Sequence, residues 1–120
     1  MAAEMRTLRL IRGVTSLHRL RNEEIRADLH VEDILSYIER AQLRWFGHVK
    51  RMPPERLPRF WLDYKPTGKR SRGRPRTRFI DNISTAVEKR GYSMEDVERS
   101  RIFDNRDGWR ALTTLTGRLA

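Results

Sequence analysis

The chain has 120 residues, of which 38% are hydrophobic and 35% charged, and its formal net charge at pH 7 is +10. This length suits one small domain or a folded core with flexible parts, and the strongly basic balance indicates a polyanionic partner. The absence of cysteine excludes disulfides and cysteine-ligated zinc, and no apolar run reaches the ~18 residues of a membrane span.

The N-terminal part is predicted to contain two helices. The apolar residues of the first are spaced three and four apart, so they share one face of a helix. They are Met5, Leu8, Leu10, Ile11, Val14 and Leu17. We expect Gly13 to weaken this helix by about 1 kcal/mol relative to alanine. Asn22 is predicted to cap a second, short helix over residues 23–29. The arginines that interrupt the first apolar stretch are atypical of a secretory leader.

The strongest helical pattern runs from Val31 to Lys50. It ends before Pro53 and Pro54, because proline has no amide hydrogen with which to continue the backbone ladder. The predicted apolar stripe contains Ile34, Leu35, Ile38, Ala41, Trp45, Phe46 and Val49. Because Trp45 and Phe46 belong to this stripe, we interpret them as core residues rather than as base-stacking ones.

A Pro-rich connection follows the long helix. All five prolines lie within residues 53–78, which predicts a connection without regular structure. An apolar island interrupts it, and this island is expected to form a short strand or a plug over the helical core. It consists of Phe60, Trp61, Leu62 and Tyr64.

Helical periodicity returns after the connection, at Phe79, Ile80, Ile83 and Val87. Thr77 is predicted to cap this helix and Gly91 to stop it. Ser93 and Asp96 resemble a capping box before a short helix that carries Val97.

A last helix is predicted to begin near Asp104 and to use as its apolar face Trp109, Leu112, Leu115 and Leu119. The pattern thus predicts an all-α fold, with two small helical clusters joined by a long, Pro-rich, basic, partly disordered arm. We expect an N-terminal helical cluster at 1–52, the linker and arm at 53–78, and a C-terminal cluster at 79–120.

Positive charge is concentrated in residues 65–78, which hold seven lysines and arginines and no acid. The other residues hold 19 lysines and arginines against 16 acids, a net charge of only +3. A focused excess of this kind is typical of nucleic-acid binding. The predicted binding residues in the arm are Lys65, Lys69, Arg70, Arg72, Gly73, Arg74, Pro75, Arg76 and Arg78.

Three interpretations of this arm stay open. The favoured one is electrostatic binding to RNA or DNA without base readout, with a log affinity against log salt slope of about −5 to −6 for five to seven phosphate contacts. The second is A·T-rich minor-groove binding, because an extended segment from Arg72 to Pro75 resembles the core of an AT-hook. The third is a solvated linker without a partner. A nuclear-import signal is compatible with each.

Residues suited to catalysis or metal binding form no recognisable pattern. His18, His30 and His48 lack metal-ligand spacing, and the motifs of hydrolases, nucleotide-binding loops and zinc proteases do not occur. We therefore expect no enzymatic activity, no metal or other cofactor and no small-molecule substrate. His48, Lys50 and Arg51, just past the apolar stripe, are expected to extend the basic surface.

Four stretches in order resemble one known region. They are EMRTLRLIRGVTSLHRLRNEEIR, QLRWFGHVKRMPPERLP, GKRSRGRPRTRFIDNI and DNRDGWRALT. Together they resemble the C-terminal part of non-LTR (LINE-type) retrotransposon polyproteins, downstream of the reverse transcriptase domain.

This resemblance implies thumb-like helices and a nucleic-acid-binding tail that holds template RNA or target DNA in the nucleus, or in both cytoplasm and nucleus. It adds Arg44 and His48 to the expected contact residues and makes Trp45, Phe79 and Trp109 packing aromatics. Other parts of a reverse transcriptase are implied partners. No paired catalytic aspartates occur here, so the resemblance implies a non-catalytic fragment.

Three residues depart from the family pattern, and a different class of function stays open. Leu10 and Phe79 stand where relatives often have tryptophan, and Arg12 stands where many have cysteine. The alternative function is a helical protein-interaction module whose basic arm is only a nuclear-import signal.

Overall fold

The computed structural model describes residues 2–115, and within them the chain is all-α, as predicted. The helices in this range are α1 (Ala2–Arg12), α2 (Asn22–Asp28), α3 (Ile34–Lys50), α4 (Leu57–Asp63), α5 (Phe79–Glu88), α6 (Met94–Ser100) and α7 (Arg106–Thr114). Short 3₁₀ helices occur at Ser16–His18 and Ile102–Asp104. None of these described helices is both long and apolar enough to cross a bilayer.

The chain divides into two compact units, Met1–Ile38 and Glu39–Ala120. The first is held by a small apolar cluster, in which Met5 and Leu8 of α1 pack with Ile25 of α2. An ion pair reinforces it, because Arg26 donates to Glu4 at 3.0 Å. The expected division at residues 52 and 78 stays a prediction.

The first helix is shorter than predicted because Gly13 terminates it. Gly13 has φ +78°, a left-handed conformation that glycine adopts without steric cost. Its amide bonds the carbonyl of Leu10, and the amide of Val14 bonds that of Arg9, which together form a Schellman cap. The predicted apolar face is therefore wrong in part: the side chains that remain exposed are Leu10, Ile11 and Leu17.

Helix α3 ends at Lys50, before the two prolines, as predicted. Its buried stripe has a different phase from the predicted one, since the buried residues are Leu43, Phe46, Gly47, Val49 and Lys50. Trp45 is 52% exposed, so its assignment to the core was wrong. Phe46 is fully buried, as predicted.

The core of the second unit is built mainly on α3, α5 and α7. Its buried members are Leu43, Phe46, Ile83, Ala86, Val87, Val97, Phe103, Trp109 and Leu112. Trp109 joins α7 to α3: its indole Nε1–H donates to the carbonyl oxygen of Leu43 at 2.8 Å. Trp109 also contacts the ring of Phe46, with centroids 5.8 Å apart. Burial of these large rings stabilises the unit.

The apolar island in the Pro-rich segment forms a helix, α4, and neither a strand nor an irregular plug. Pro58 lies in the first turn of α4, where its missing amide hydrogen would have no partner within the helix. Leu62 packs against the core, whereas Phe60 and Trp61 remain more than half exposed.

The helix caps after the arm are confirmed at two positions and wrong at one. Gly91, with φ +83°, follows the end of α5, and the Ser93 hydroxyl accepts from the amide of Asp96 at 3.1 Å. The residue that caps α5 is Arg78, not Thr77. Helix α7 begins one residue after its cap Asn105.

The apolar face predicted for α7 is confirmed only in its first half. Trp109 and Leu112 are buried, whereas Leu115 is 45% exposed. Leu119, the last residue of the predicted face, lies outside the described residues.

Candidate nucleic-acid interface

The basic arm, residues 65–78, has no regular secondary structure, and each of its residues is exposed. Its first six cations make no ion pair or hydrogen bond with any residue between 2 and 115. They are Lys65, Lys69, Arg70, Arg72, Arg74 and Arg76. Because their charges are hydrated and not compensated by the protein, they can pair with phosphates without first breaking an internal contact.

The last cation of the arm, Arg78, is different because it pairs with Asp81. The guanidinium donates to the carboxylate at 3.1 Å, and the Arg78 backbone amide donates to it at 2.9 Å. The side-chain hydrogen bond from Arg78, followed by the backbone one, lowers the pKa of Asp81, and the charge of Arg70 adds to this. The carboxylate thus occupies the N-terminal end of α5.

The Arg-Gly-Arg-Pro stretch is bent, not extended. Residues 72–74 form a bend, and Gly73 has φ +113°. A side chain at Gly73 would be strained by this backbone angle even though the space around it is open. Pro75 follows the bend and is exposed. The extended shape expected for an AT-hook core therefore does not occur in the free chain.

A second basic surface lies between α3 and α7. It is a groove of about 380 Å³, which we call the basic groove, lined by Arg44, His48, Arg51, Arg106, Trp109 and Arg110. Arg44 and His48 of α3 and Arg51 just after it are four and three residues apart, which puts them on one helix face. Trp109 and Arg110 follow Arg106 by three and four residues, so these three share a face of α7. Contact between Trp109 and α3 brings these two faces together.

The basic groove holds uncompensated charge. Arg44, Arg106 and Arg110 are exposed, and their guanidinium groups make no ion pair or hydrogen bond with the described part of the chain. The Arg51 guanidinium donates to the backbone carbonyl of Phe103 at 2.9 Å, which fixes its position. No described carboxylate lines the groove. Planar guanidinium groups in this arrangement suit phosphate oxygens.

The structure thus places Arg44 and His48 together and adds residues that the sequence analysis missed. Arg106 and Arg110 were not singled out, because the last helix was interpreted only by its apolar face. Their spacing of four around Trp109 is the signal that points to a shared face.

Lys50 does not belong to either basic surface. It is 8% exposed and pairs with Glu98 at 2.8 Å and with Asp63 at 3.7 Å. Its ammonium lies 5.5 Å from the ring centroid of Phe46. The expectation that Lys50 extends the basic surface was therefore wrong.

Within residues 2–115, no cluster of three or more histidine, aspartate or glutamate side chains could hold a metal ion. No protein-family model matches the sequence, and comparisons with curated proteins and with solved structures find no significant match. The fold and surface define a small all-α protein with an exposed cationic arm and a basic groove.

Proposed function

We propose that this chain is a non-catalytic nucleic-acid-binding fragment that holds template RNA or target DNA. The observation that carries the proposal is the exposed, uncompensated charge of the arm from Lys65 to Arg76. The motif order of the sequence supports a role like that of the C-terminal tail of a non-LTR retrotransposon reverse transcriptase. On that basis we also propose action in the nucleus, beside other parts of a reverse transcriptase.

Two separate surfaces would contribute phosphate contacts. The arm offers cations on an irregular backbone, whereas the basic groove offers guanidinium groups on two helices that the core holds in place. Each neutralised phosphate of duplex DNA makes the slope of log affinity against log salt more negative by about 0.9. Both surfaces therefore add to a steep salt dependence.

We further propose that the arm is partly disordered until it binds. The stretch from Lys65 to Arg76 is fully exposed and its cations make no side-chain bond within the described residues, so few internal contacts oppose its conformational entropy. Ordering on binding would reduce the affinity gained for each contact, and it would let the arm fit either RNA or DNA.

Fluorescence anisotropy with labelled RNA and duplex DNA over a salt series tests the proposal. We expect binding at low salt, with a log–log slope for duplex DNA of about −4.5 or steeper when the arm contacts five or more phosphates. Absent binding at low salt, or an affinity that salt does not change, would refute nucleic-acid binding.

One observation favours the protein-interaction alternative as a second candidate. Leu10, Ile11 and Leu17 are 73%, 66% and 88% exposed in the first unit, and exposed apolar side chains of this kind occur at protein interfaces. Replacing Arg72, Arg74 and Arg76 with alanine separates the two functions. The nucleic-acid function predicts weaker polynucleotide binding, whereas the alternative predicts lost nuclear import with protein binding retained.

A further inference from the structure

Three aromatic side chains that do not belong to the core lie around one groove. Trp45 of α3, Trp61 of α4 and Tyr64 just after α4 are 52%, 58% and 46% exposed. They line a groove of about 700 Å³, which we call the aromatic groove. Its apolar floor includes Leu62 and Phe79, which pack against the core of the second unit.

Trp61 meets both of its neighbouring rings edge to face and is not stacked flat on either of them. Trp61 and Tyr64 meet edge to face, with centroids 4.8 Å apart and an angle of 70° between the ring planes. Phe60 supports Trp61 from the side at 5.3 Å, with an angle of 81°. Edge-to-face contact fixes the orientation of a ring and leaves area on its faces for another flat group.

The same groove is where the basic arm begins and ends. Lys65, the first cation of the arm, and Arg78, the last, both line it beside the aromatic rings. The other five cations lie on the chain between these two points. A ligand with flat apolar groups on one side and a chain of negative charges on the other would match both features.

Two carboxylates also line the groove, and each is compensated. Glu98 pairs with Lys50 at 2.8 Å, and Asp63 pairs with Arg59 at 3.1 Å. Their charges therefore do little to oppose an anionic ligand. The net field at the groove is set by Lys65 and by the neighbouring arm.

We propose that the aromatic groove stacks the unpaired bases of single-stranded nucleic acid while the arm holds the phosphates of the same strand. This inference rests on the proposed function and specifies its substrate class. Exposed aromatic rings beside a cationic track are the combination that binds single strands with little sequence preference. In a duplex the base faces are stacked on each other, so a duplex offers phosphates to the arm but no base faces to these rings.

Tryptophan fluorescence of the full chain, titrated with short oligo(U), tests the inference. Trp109 is 2% exposed and has no free ring face for a base, so quenching by base stacking comes from Trp45 and Trp61. We expect oligo(U) to quench the emission in a saturable way. A duplex DNA with the same number of phosphates should bind with little quenching.

Substitutions then assign the effect to the rings. Trp61→Ala and Tyr64→Ala should each weaken oligo(U) binding by about 5- to 150-fold, the range for loss of one base–aromatic stack, and leave duplex affinity unchanged. Trp61→Phe should retain most of the affinity. Tyr92→Ala is the matched control, since Tyr92 is 40% exposed but lies outside the groove, and it should change neither affinity.

Several results would overturn the inference. Unchanged oligo(U) affinity in both alanine variants contradicts it, and so does an equal loss for single strand and duplex, which would indicate a structural role. Sedimentation tests a further outcome. If the unmodified chain is a dimer, and the Trp61→Ala variant is monomeric but has the same oligo(U) affinity, the groove binds a second copy of the chain. Tyr64 follows the end of α4 and is exposed, so its variant remains informative if Trp61→Ala fails to fold. If the unmodified chain binds neither ligand at low salt, the proposed function itself fails.

Discussion

The indole of Trp109 lies directly against Gly47, so closely that a Cβ atom at Gly47 would be 2.2 Å from the indole Nε1. Only glycine leaves room for this contact, and the contact sets the indole within 2.8 Å of the carbonyl oxygen of Leu43. Because Arg106 and Arg110 flank Trp109 on α7, their position beside α3 depends on this pair. One glycine therefore supports both the core and the basic groove.

We predict that Gly47→Ala destabilises the second unit. The new methyl group must displace the indole, which costs about 1–3 kcal/mol for an overpacked core, against about 1 kcal/mol gained in helix propensity. The net effect should be a lower midpoint of urea unfolding, which tryptophan emission can monitor.

Gly108→Ala is the matched control, because Gly108 is also helical but its added Cβ would meet only Asn105 at 3.4 Å. Here the helix propensity gain should dominate and stabilise the unit by up to about 1 kcal/mol. Equal effects of the two alanines would contradict the role assigned to the Trp109 contact.

Removing charge from the arm should reduce the salt dependence of binding by a calculable amount. If Arg72, Arg74 and Arg76 each neutralise one duplex phosphate, replacing all three with alanine should make the log–log slope shallower by about 2.7. Anisotropy with duplex DNA over a salt series measures this.

A control with the same loss of net charge replaces Arg6, Arg21 and Arg99, which are exposed and lie outside both basic surfaces. Its slope should stay close to that of the unmodified chain. A similar slope for both triple variants would show that only total charge matters.

The basic groove should contribute independently of the arm. Arg106→Ala with Arg110→Ala removes two uncompensated guanidinium groups and should make the slope shallower by about 1.8. Both side chains are exposed, so the melting temperature should change little. The double variant Arg21→Ala with Arg99→Ala is the control. Unchanged binding in the Arg106 and Arg110 variant would exclude the groove from the interface.

The first unit should lose stability in acid through Glu4. The hydrogen bond from Arg26 lowers the pKa of Glu4 below its ordinary value of 4.5, so the folded state binds this proton less readily than the unfolded state. The stabilisation is complete above pH 4.5 and is lost as the pH falls through the lowered pKa. Glu4→Gln should remove this part of the acid dependence.

Two optical signals can separate this effect from unfolding elsewhere. All three tryptophans lie in the second unit, so their emission reports that unit, whereas far-ultraviolet circular dichroism reports every helix. On acidification we expect the helical signal to fall before tryptophan emission changes, because the second unit has the larger core. Glu23 is an exposed carboxylate on α2, and the control variant Glu23→Gln should keep the acid dependence.

Much of the helix pattern could be predicted from the sequence because the local signals agree there. Helix α3 combines a long periodic stretch with a proline stop. Gly91 follows the end of α5, and Ser93 caps the start of α6, as expected for these residue types. Helix α4 was missed because the five prolines of residues 53–78 were interpreted as a sign of irregular structure, although Pro58 lies in a first turn, where proline is favoured. The exposure of Trp45 was missed because periodicity does not tell which side of a broad stripe meets the core.

The candidate site was only partly predictable for the same kind of reason. The arm is visible in the sequence, since its charge lies in one continuous segment. The basic groove joins residues of α3 to residues of α7, and the hydrogen bond that brings them together links positions 66 residues apart. No local pattern reports such a contact. The aromatic groove likewise depends on α4, whose existence was not expected.

The pairing of Arg78 with Asp81 has a consequence for how long a bound strand would stay. This ion pair and helix α4 anchor the two ends of the arm, so the cations between them belong to a closed loop and not to a free tail. A phosphate that slips from one arginine remains within reach of the next, at the high local concentration that a short tether creates. Recapture of this kind lengthens the dwell time of a complex without strengthening any single contact.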